Sequence, residues 1–402
     1  MRILFLCGGL EPGRDGVGDY TRTLAAECAR QGAQTHLIAL NDEFIQTDAV
    51  SPEDPSLRLP AAAPWAARIR RAGAEAERFN PDWVSLQFVT YGFHPRGLPF
   101  GLTPRLLQLT AGRPTHIMFH ELWIGEASAS SGKERAIGLL QRRIIQHMLR
   151  GLQPAVIHTS NPLYQHLLGR IGIMSGELPL FGSIPIAPQV SPDFLYGQLR
   201  PHGLSIDAQN RTGYLLAGVF GTIHPQWDSR QFLDRFLEET AKTGRRPLLI
   251  AIGRSGDAGD RMMADLAGHY GTRLPCISLG DRSSGEVSQL FQALDLGVAT
   301  SPWSLIGKSS ATAAMLDHGL PVVVPRDDCR LRSGSGPEPA PHPLLLKADE
   351  TFWVALRRGL PGRVPRLRVA EVAETMLRAL SVGGRTSGEC ISELAAFPAA
   401  DA

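Results

Sequence analysis

Lysine is scarce in this 402-residue chain: of 41 basic residues only Lys133, Lys242, Lys308 and Lys347 are lysines, a skew read here as coding bias that makes each one easy to inspect. Cysteine is nearly as rare. Cys7, Cys28, Cys276, Cys329 and Cys390 are odd in number, widely scattered and without a C-x-x-C pair, which excludes a disulfide framework and a zinc site and implies a reducing, cytoplasmic setting. Neither sign of charge dominates. The 41 Lys and Arg against 39 Asp and Glu leave +2, so net charge offers no attraction to nucleic acid or to an anionic membrane. Long apolar runs are missing as well. The opening run turns to glycine after Cys7, too short for a signal peptide, and the longest uncharged candidate span, residues 178–192, is broken by prolines. No transmembrane segment is expected, and peripheral contact with a membrane surface stays open.

What is present suffices for two packed cores, since 43% of the residues are hydrophobic. Short apolar runs of strand length end in polar or glycine-rich turns and lead into helical patterns, as in parallel-sheet α/β folds. The first half supplies strands at 3–6, 35–40, 83–88, 115–119 and 155–159, with a helix over 19–31 whose Tyr20, Leu24, Ala25 and Cys28 share one face. Over 178–192 the pattern dissolves into Pro, Gly and Ser, which marks a domain boundary. The same grammar restarts with strands at 214–220, 247–252, 275–279, 294–299 and 321–324 and helices at 229–243 and 285–294. These strands are continuously apolar, so each sheet is expected to be parallel and covered on both faces. Amphipathic helices follow at 350–358 and 369–380, then a frayed tail over 383–402. The expected domains are 1–190, 191–365 and a closing segment 366–402.

Candidate chemistry gathers at the strand ends. The first strand runs into Gly8-Gly9 and then Gly16-Val17-Gly18 before the helix, where glycines and open helix N–H groups suit a diphosphate, although an ordinary flexible loop is the alternative. The G-x-G-x-x-G spacing of a dinucleotide site fails, because Thr21 stands at the third glycine. His120 and Glu121 end the strand at 115–119, the edge where open α/β sheets collect ligands; a core histidine and a capping glutamate are the plainer readings. Gln87 and Tyr91 are placed similarly after the strand at 83–88. In the second half Thr222 follows a strand and suits a phosphate, and Arg254 is either an anion clamp or a solvated loop cation. Gly307-Lys308-Ser309 is no P-loop, since Pro302 replaces the required glycine. What remains is a helix start offering Lys308, Ser309 and Ser310 to an oxyanion, or a simple N-cap.

Two stretches carry a family resemblance. Gly16-Val17-Gly18-Asp19-Tyr20 through Leu24 to Gly32, and Leu294 to Ser301 followed by Met315 and Gly319-Leu320-Pro321-Val322-Val323, make the chain resemble a GT-B glycosyltransferase of the retaining family 4 type. The resemblance implies two Rossmann-like domains facing a cleft, a nucleotide-sugar donor held mainly by the second domain, and a carbohydrate, lipid-linked or small-molecule acceptor offered by the first. It implies that His120 contacts the donor sugar near the reaction centre and that Gly16 and Gly18 lie near the diphosphate. Thr222, Arg254, Lys308, Ser309 and Ser310 are then donor-site candidates, and Gln87, Tyr91 and Glu121 acceptor-site candidates. No metal and no cofactor is expected. Two departures stand out: the family's E-x(7)-E pair, counted back from Gly319, falls on Ile306 and Ala314, and the usual Arg and Lys after the first strand of the second domain are replaced by Thr222, His224 and Gln226. A transferase with a variant donor site is the leading expectation. The alternatives are an inactive transferase-like partner or carbohydrate-binding protein and a sugar-nucleotide epimerase.

Overall fold

The computed structural model describes residues 1–51, 56–334 and 336–386. It divides into two compact units, the first built from Met1–Ser160, Tyr164–Pro179 and the closing helix Val369–Thr386, the second from Asn161–Leu163 and Leu180–Arg368. Of the frayed tail expected from residue 383, residues 387–402 lie outside the described residues, while 383–386 continue that helix.

Each unit holds one sheet. In the first, the strands are β1 (Arg2–Cys7), β2 (Gln34–Asp42), β3 (Ala49–Ser51), β4 (Ser56–Pro60), β5 (Trp83–Phe88), β6 (Thr115–Phe119), β7 (Val156–Thr159) and β8 (Gly176–Glu177). Their spatial order is β3-β4-β2-β1-β5-β6-β7-β8, parallel throughout except for β3, which pairs antiparallel with β4. That edge strand departs from the all-parallel expectation. The second sheet orders β9 (Tyr214–Phe220), β10 (Arg246–Ile252), β11 (Cys276–Ser278), β12 (Leu296–Val298), β13 (Val322–Val324) and β14 (Leu345–Lys347) as β11-β10-β9-β12-β13-β14, all parallel. Every residue of β5 and β6 is buried, because helices cover both faces of the sheet. Around the second sheet the same arrangement yields two apolar clusters, one centred on Leu216, Ile250 and Phe291, the other on Leu215, Leu249 and Phe236.

Capping fixes where the helices begin. The first helix starts at Gly16, three residues before the apolar pattern suggests, because the Asp15 carboxylate accepts the N–H groups of Val17 and Gly18 at 2.9 and 3.1 Å. Ser131 with Glu134 and Ser283 with Glu286 form capping boxes that start Gly132–Leu152 and Ser284–Ala293. The helix Glu350–Arg358 opens on the Asp349 cap and ends at Gly359, whose φ of 133° disfavours other residues.

Close backbone approach explains Gly18. A Cβ there would stand 2.6 Å from the Gly9 carbonyl oxygen, whereas a Cβ on Gly16 meets nothing within 4 Å. Gly18→Ala is therefore expected to destabilise the first unit by about 1–3 kcal/mol, the usual cost of overpacking, while Gly16→Ala leaves it unchanged or slightly more stable. Urea unfolding of both variants checks this, and equal losses would contradict it.

Candidate functional site

In the second sheet the strand order reverses between β9 and β12, and open sheets of this kind bind ligands beyond the carboxyl ends at such a reversal. Thr222 and His224 follow β9, and Thr300 follows β12. The His224 backbone N–H donates to Thr300 Oγ1 at 3.1 Å, and that hydroxyl donates to the Thr222 carbonyl at 3.4 Å, so the two chain ends are tied together. Arg326, just past β13, is only 5% exposed. Its guanidinium donates to the Thr300 carbonyl at 3.2 Å and to the Asp328 carboxylate at 2.8 Å. Lys308 closes the 3-10 turn Trp303–Lys308. Burial lowers the His224 imidazole below its ordinary range, and the charges of Arg326 and Lys308 push the same way against Asp328. Two cations thus bear on one neutral imidazole beside a hydroxyl, a composition suited to an anionic ligand.

The other expected residues of this unit cap a helix, stand exposed or pack in the core. Ser309 caps the helix Ser310–Asp317, accepting the Thr312 N–H at 3.2 Å and the Thr312 hydroxyl at 2.9 Å, so the capping alternative describes it. Ser310 is exposed at the first helical position. Arg254 is exposed beyond β10, with a guanidinium nitrogen 3.7 Å from the Asp281 carboxylate. Ile306 and Ala314 are 3% and 2% exposed and belong to the apolar core. Ala314 explains the glycine at 182: a Cβ on Gly182 would lie 2.6 Å from Ala314 Cα, so the two backbones pass almost in contact.

In the first unit the glycine loop is not an open anion site. Two of its helix N–H groups are taken by Asp15, whose carboxyl is raised above the usual range, first by burial and then by the charges of Asp19 and Asp42. Asp42, at the end of β2, accepts the Leu10 N–H at 3.0 Å and Arg58 Nε at 2.8 Å. Burial alone would raise its carboxyl, but the Arg58 and backbone hydrogen bonds outweigh this and hold it below the usual range.

His120 is 7% exposed and packs edge-on against the Tyr20 ring, with ring centroids 4.8 Å apart. Its Nε2 is 3.0 Å from Gln87 Oε1. Gln87 is fully buried, and its Nε2 donates to Ser85 Oγ at 2.9 Å, so both ends of the amide are engaged inside the sheet. Ser85 Oγ lies 2.8 Å from His116 Nδ1, and His116 Nε2 lies 3.0 Å from His158 Nδ1. Tyr91 is 41% exposed and its ring lies over Gly97, while Glu121 is half-buried after His120. Sequence reasoning missed Arg326, Asp15, Ser85 and His116. Ser85 carried a signal, since with Gln87 it puts polar residues at alternate positions of an otherwise apolar strand.

Burial lowers all three histidines: His120 to about 3, His158 to about 4, and His116 well below its ordinary value with help from the two neighbouring imidazoles. In the unfolded chain each titrates near 6.5. Below that pH the unfolded state binds protons that the folded state refuses, so stability held at pH 7 is lost as pH falls from about 6.5 toward 4. Denaturant unfolding at pH 7.5, 6 and 5 is expected to show this decline, and His116→Phe with His158→Phe to flatten it; an unchanged slope would contradict the assignment.

Neither a protein-family model nor a curated protein sequence matches the chain. Solved structures do. HepE of Anabaena, solved in complex with UDP and glucose, is 15% identical, with 95% of this chain and 100% of that one covered and a TM-score of 0.57. The catalytic domain of starch synthase IV from Arabidopsis thaliana, bound to ADP and acarbose, is 10% identical, with 96% and 99% covered and a TM-score of 0.53. The UDP-GlcNAc 2-epimerase of Methanocaldococcus jannaschii is 11% identical, with 95% and 100% covered and a TM-score of 0.50. Identities this low define fold rather than chemistry. The fold they define is GT-B, two Rossmann-like α/β domains in one chain.

Proposed function

We propose that this protein is a glycosyltransferase that moves a sugar from a nucleotide-sugar donor to a glycan, lipid-linked or small-molecule acceptor with retention at the anomeric carbon. The observation that carries this reading is the cationic group at the reversal of the second sheet, where Arg326 and Lys308 bear on His224 beside Thr300. Departure of a nucleoside diphosphate places negative charge on its terminal phosphate. Fixed cations and hydroxyls in a partly dry site stabilise that charge without a protein base. In this reading Lys308 and Arg326 do the work of the family's missing Arg and Lys, and protein cations rather than a metal meet the diphosphate. His120 in the first unit accepts or donates a hydrogen bond to a hydroxyl of the bound sugar. The retaining course rests on the family resemblance of the sequence, and the cytoplasmic setting on cysteine usage; among the described residues no helix is long and apolar enough to cross a membrane.

A second reading has its own observation. Ile306 and Ala314 bury apolar side chains where the family places carboxylates for the sugar and ribose, which favours a transferase-like partner or carbohydrate-binding protein without turnover. Fold does not choose between them, nor does it set aside an epimerase.

Calorimetric titration with UDP, ADP, GDP and their glucose conjugates separates the cases. At least one nucleoside diphosphate is expected to bind, and Lys308→Ala to weaken it about tenfold or more, the worth of one hydrogen bond to a charged group. Product analysis by NMR should show transfer with the donor's anomeric configuration. Binding without turnover of any nucleotide sugar would favour the second reading, and no binding by any nucleotide would sink both nucleotide-dependent readings.

A further inference from the structure

The buried polar side chains of the first sheet form one continuous chain. Ser85 and Gln87 on β5, His116 on β6, His120 just past its end and His158 on β7 lie on one face of the sheet, since register pairs Ser85 with His116 and Met118 with His158 and side chains alternate with period two. All five are less than 9% exposed. Four hydrogen bonds of 2.8–3.0 Å link them in the order His120, Gln87, Ser85, His116, His158.

Such a chain has a direction. A neutral imidazole carries one donor and one acceptor nitrogen, a serine hydroxyl donates one proton, and an amide presents an oxygen at one end and an N–H at the other. If the Ser85 proton is also spent inside the chain, fixing one member fixes the rest and leaves two self-consistent orientations. With the Gln87 oxygen toward His120 and its nitrogen toward Ser85, His120 must carry its proton on Nε2, because a carbonyl oxygen only accepts. Ser85 then donates to His116 Nδ1, and His116 Nε2–H donates to His158 Nδ1. The three imidazoles remain neutral, since burial disfavours the charged form of each.

We propose that Gln87, Ser85, His116 and His158 are positioning residues that hold His120 in the single Nε2–H tautomer, so that its Nδ1 is presented as an acceptor for a ligand hydroxyl. Among the described residues His120 Nδ1 has no hydrogen-bond partner. An acceptor nitrogen meets a hydroxyl and repels a phosphate oxygen, so His120 reads the sugar portion of a ligand and ignores its diphosphate. Gln87, expected from sequence to touch an acceptor, acts instead through His120. The consequence for turnover rests on the transferase reading above, whereas the tautomer does not.

The test is 15N NMR on the full chain labelled at histidine, with resonances assigned by single His substitutions. In the wild type, His120 and His116 are expected as single Nε2–H tautomers at pH 7, each with a pyridine-type Nδ1. Ser85→Ala cuts the chain, frees the Gln87 amide to turn over, and should leave His120 a mixture of tautomers, with Ser85→Thr restoring one. In the same pair of variants, kcat/KM for a nucleotide sugar should fall about tenfold in Ser85→Ala and recover in Ser85→Thr, while the Kd for the nucleoside diphosphate stays within about twofold. A wild-type His120 that is mixed or Nδ1–H overturns the relay whatever the activity. A single Nε2–H tautomer in a chain that turns over no nucleotide sugar supports the relay and overturns the transferase reading alone. Because the wild-type spectrum already decides the tautomer, an unfolded variant does not spare the proposal.

Discussion

A polar side chain beneath helices that cover both faces of a parallel sheet has no water to turn to, so it must find its partner within the sheet. The first unit meets that demand five times over with one hydrogen-bonded chain, from His120 through Gln87, Ser85 and His116 to His158. Much else follows from it. The imidazoles stay neutral, Gln87 is held away from solvent, and His120 is pinned between the amide and the Tyr20 ring. Leaving one member of such a chain unpaired in the core typically costs about 1–3 kcal/mol, so its residues are constrained jointly rather than singly.

The two units divide the electrostatic labour. Around the glycine loop the first collects carboxylates, with Asp15 on the helix N–H groups and Asp42 tied to Arg58, and this leaves little welcome for a phosphate. Around the reversal of its sheet the second collects Arg326 and Lys308. The proposed anion site therefore falls in the second unit.

Strand existence was legible because burial on both faces demands uninterrupted apolar runs: β5, β6 and β9 fall at the residues the pattern marks. β3, β4, β8 and β14 were not, being short and at or near sheet edges, where β4 even carries Arg58 and β8 is Gly176–Glu177. The candidate site was less readable than the fold. A strand-end position suggests that His120 matters, but nothing local says that its partner is the Gln87 amide oxygen, since that pairing spans 33 residues. Arg326 follows Val322–Val324 and a proline, the same strand-end signal that drew attention to Arg254, yet only tertiary contacts with Thr300 and Asp328 distinguish the buried arginine from the exposed one. Asp15 shows the converse limit. An acid before a helix announces a cap, and the cap uses the N–H groups that the glycine spacing offered to a ligand.

The contact between Gly182 and Ala314 bears on what the second unit can offer a ligand. Ala314 Cβ itself stands 3.1 Å from where a Gly182 Cβ would be, so the glycine and the alanine fit only each other. Any residue larger than glycine at 182 would press on the Ala314 backbone, and Ile306 on the neighbouring turn packs into the core. With alanine at 314 and isoleucine at 306, any contact to the ribose or sugar of a bound nucleotide sugar has to come from other side chains of the chain.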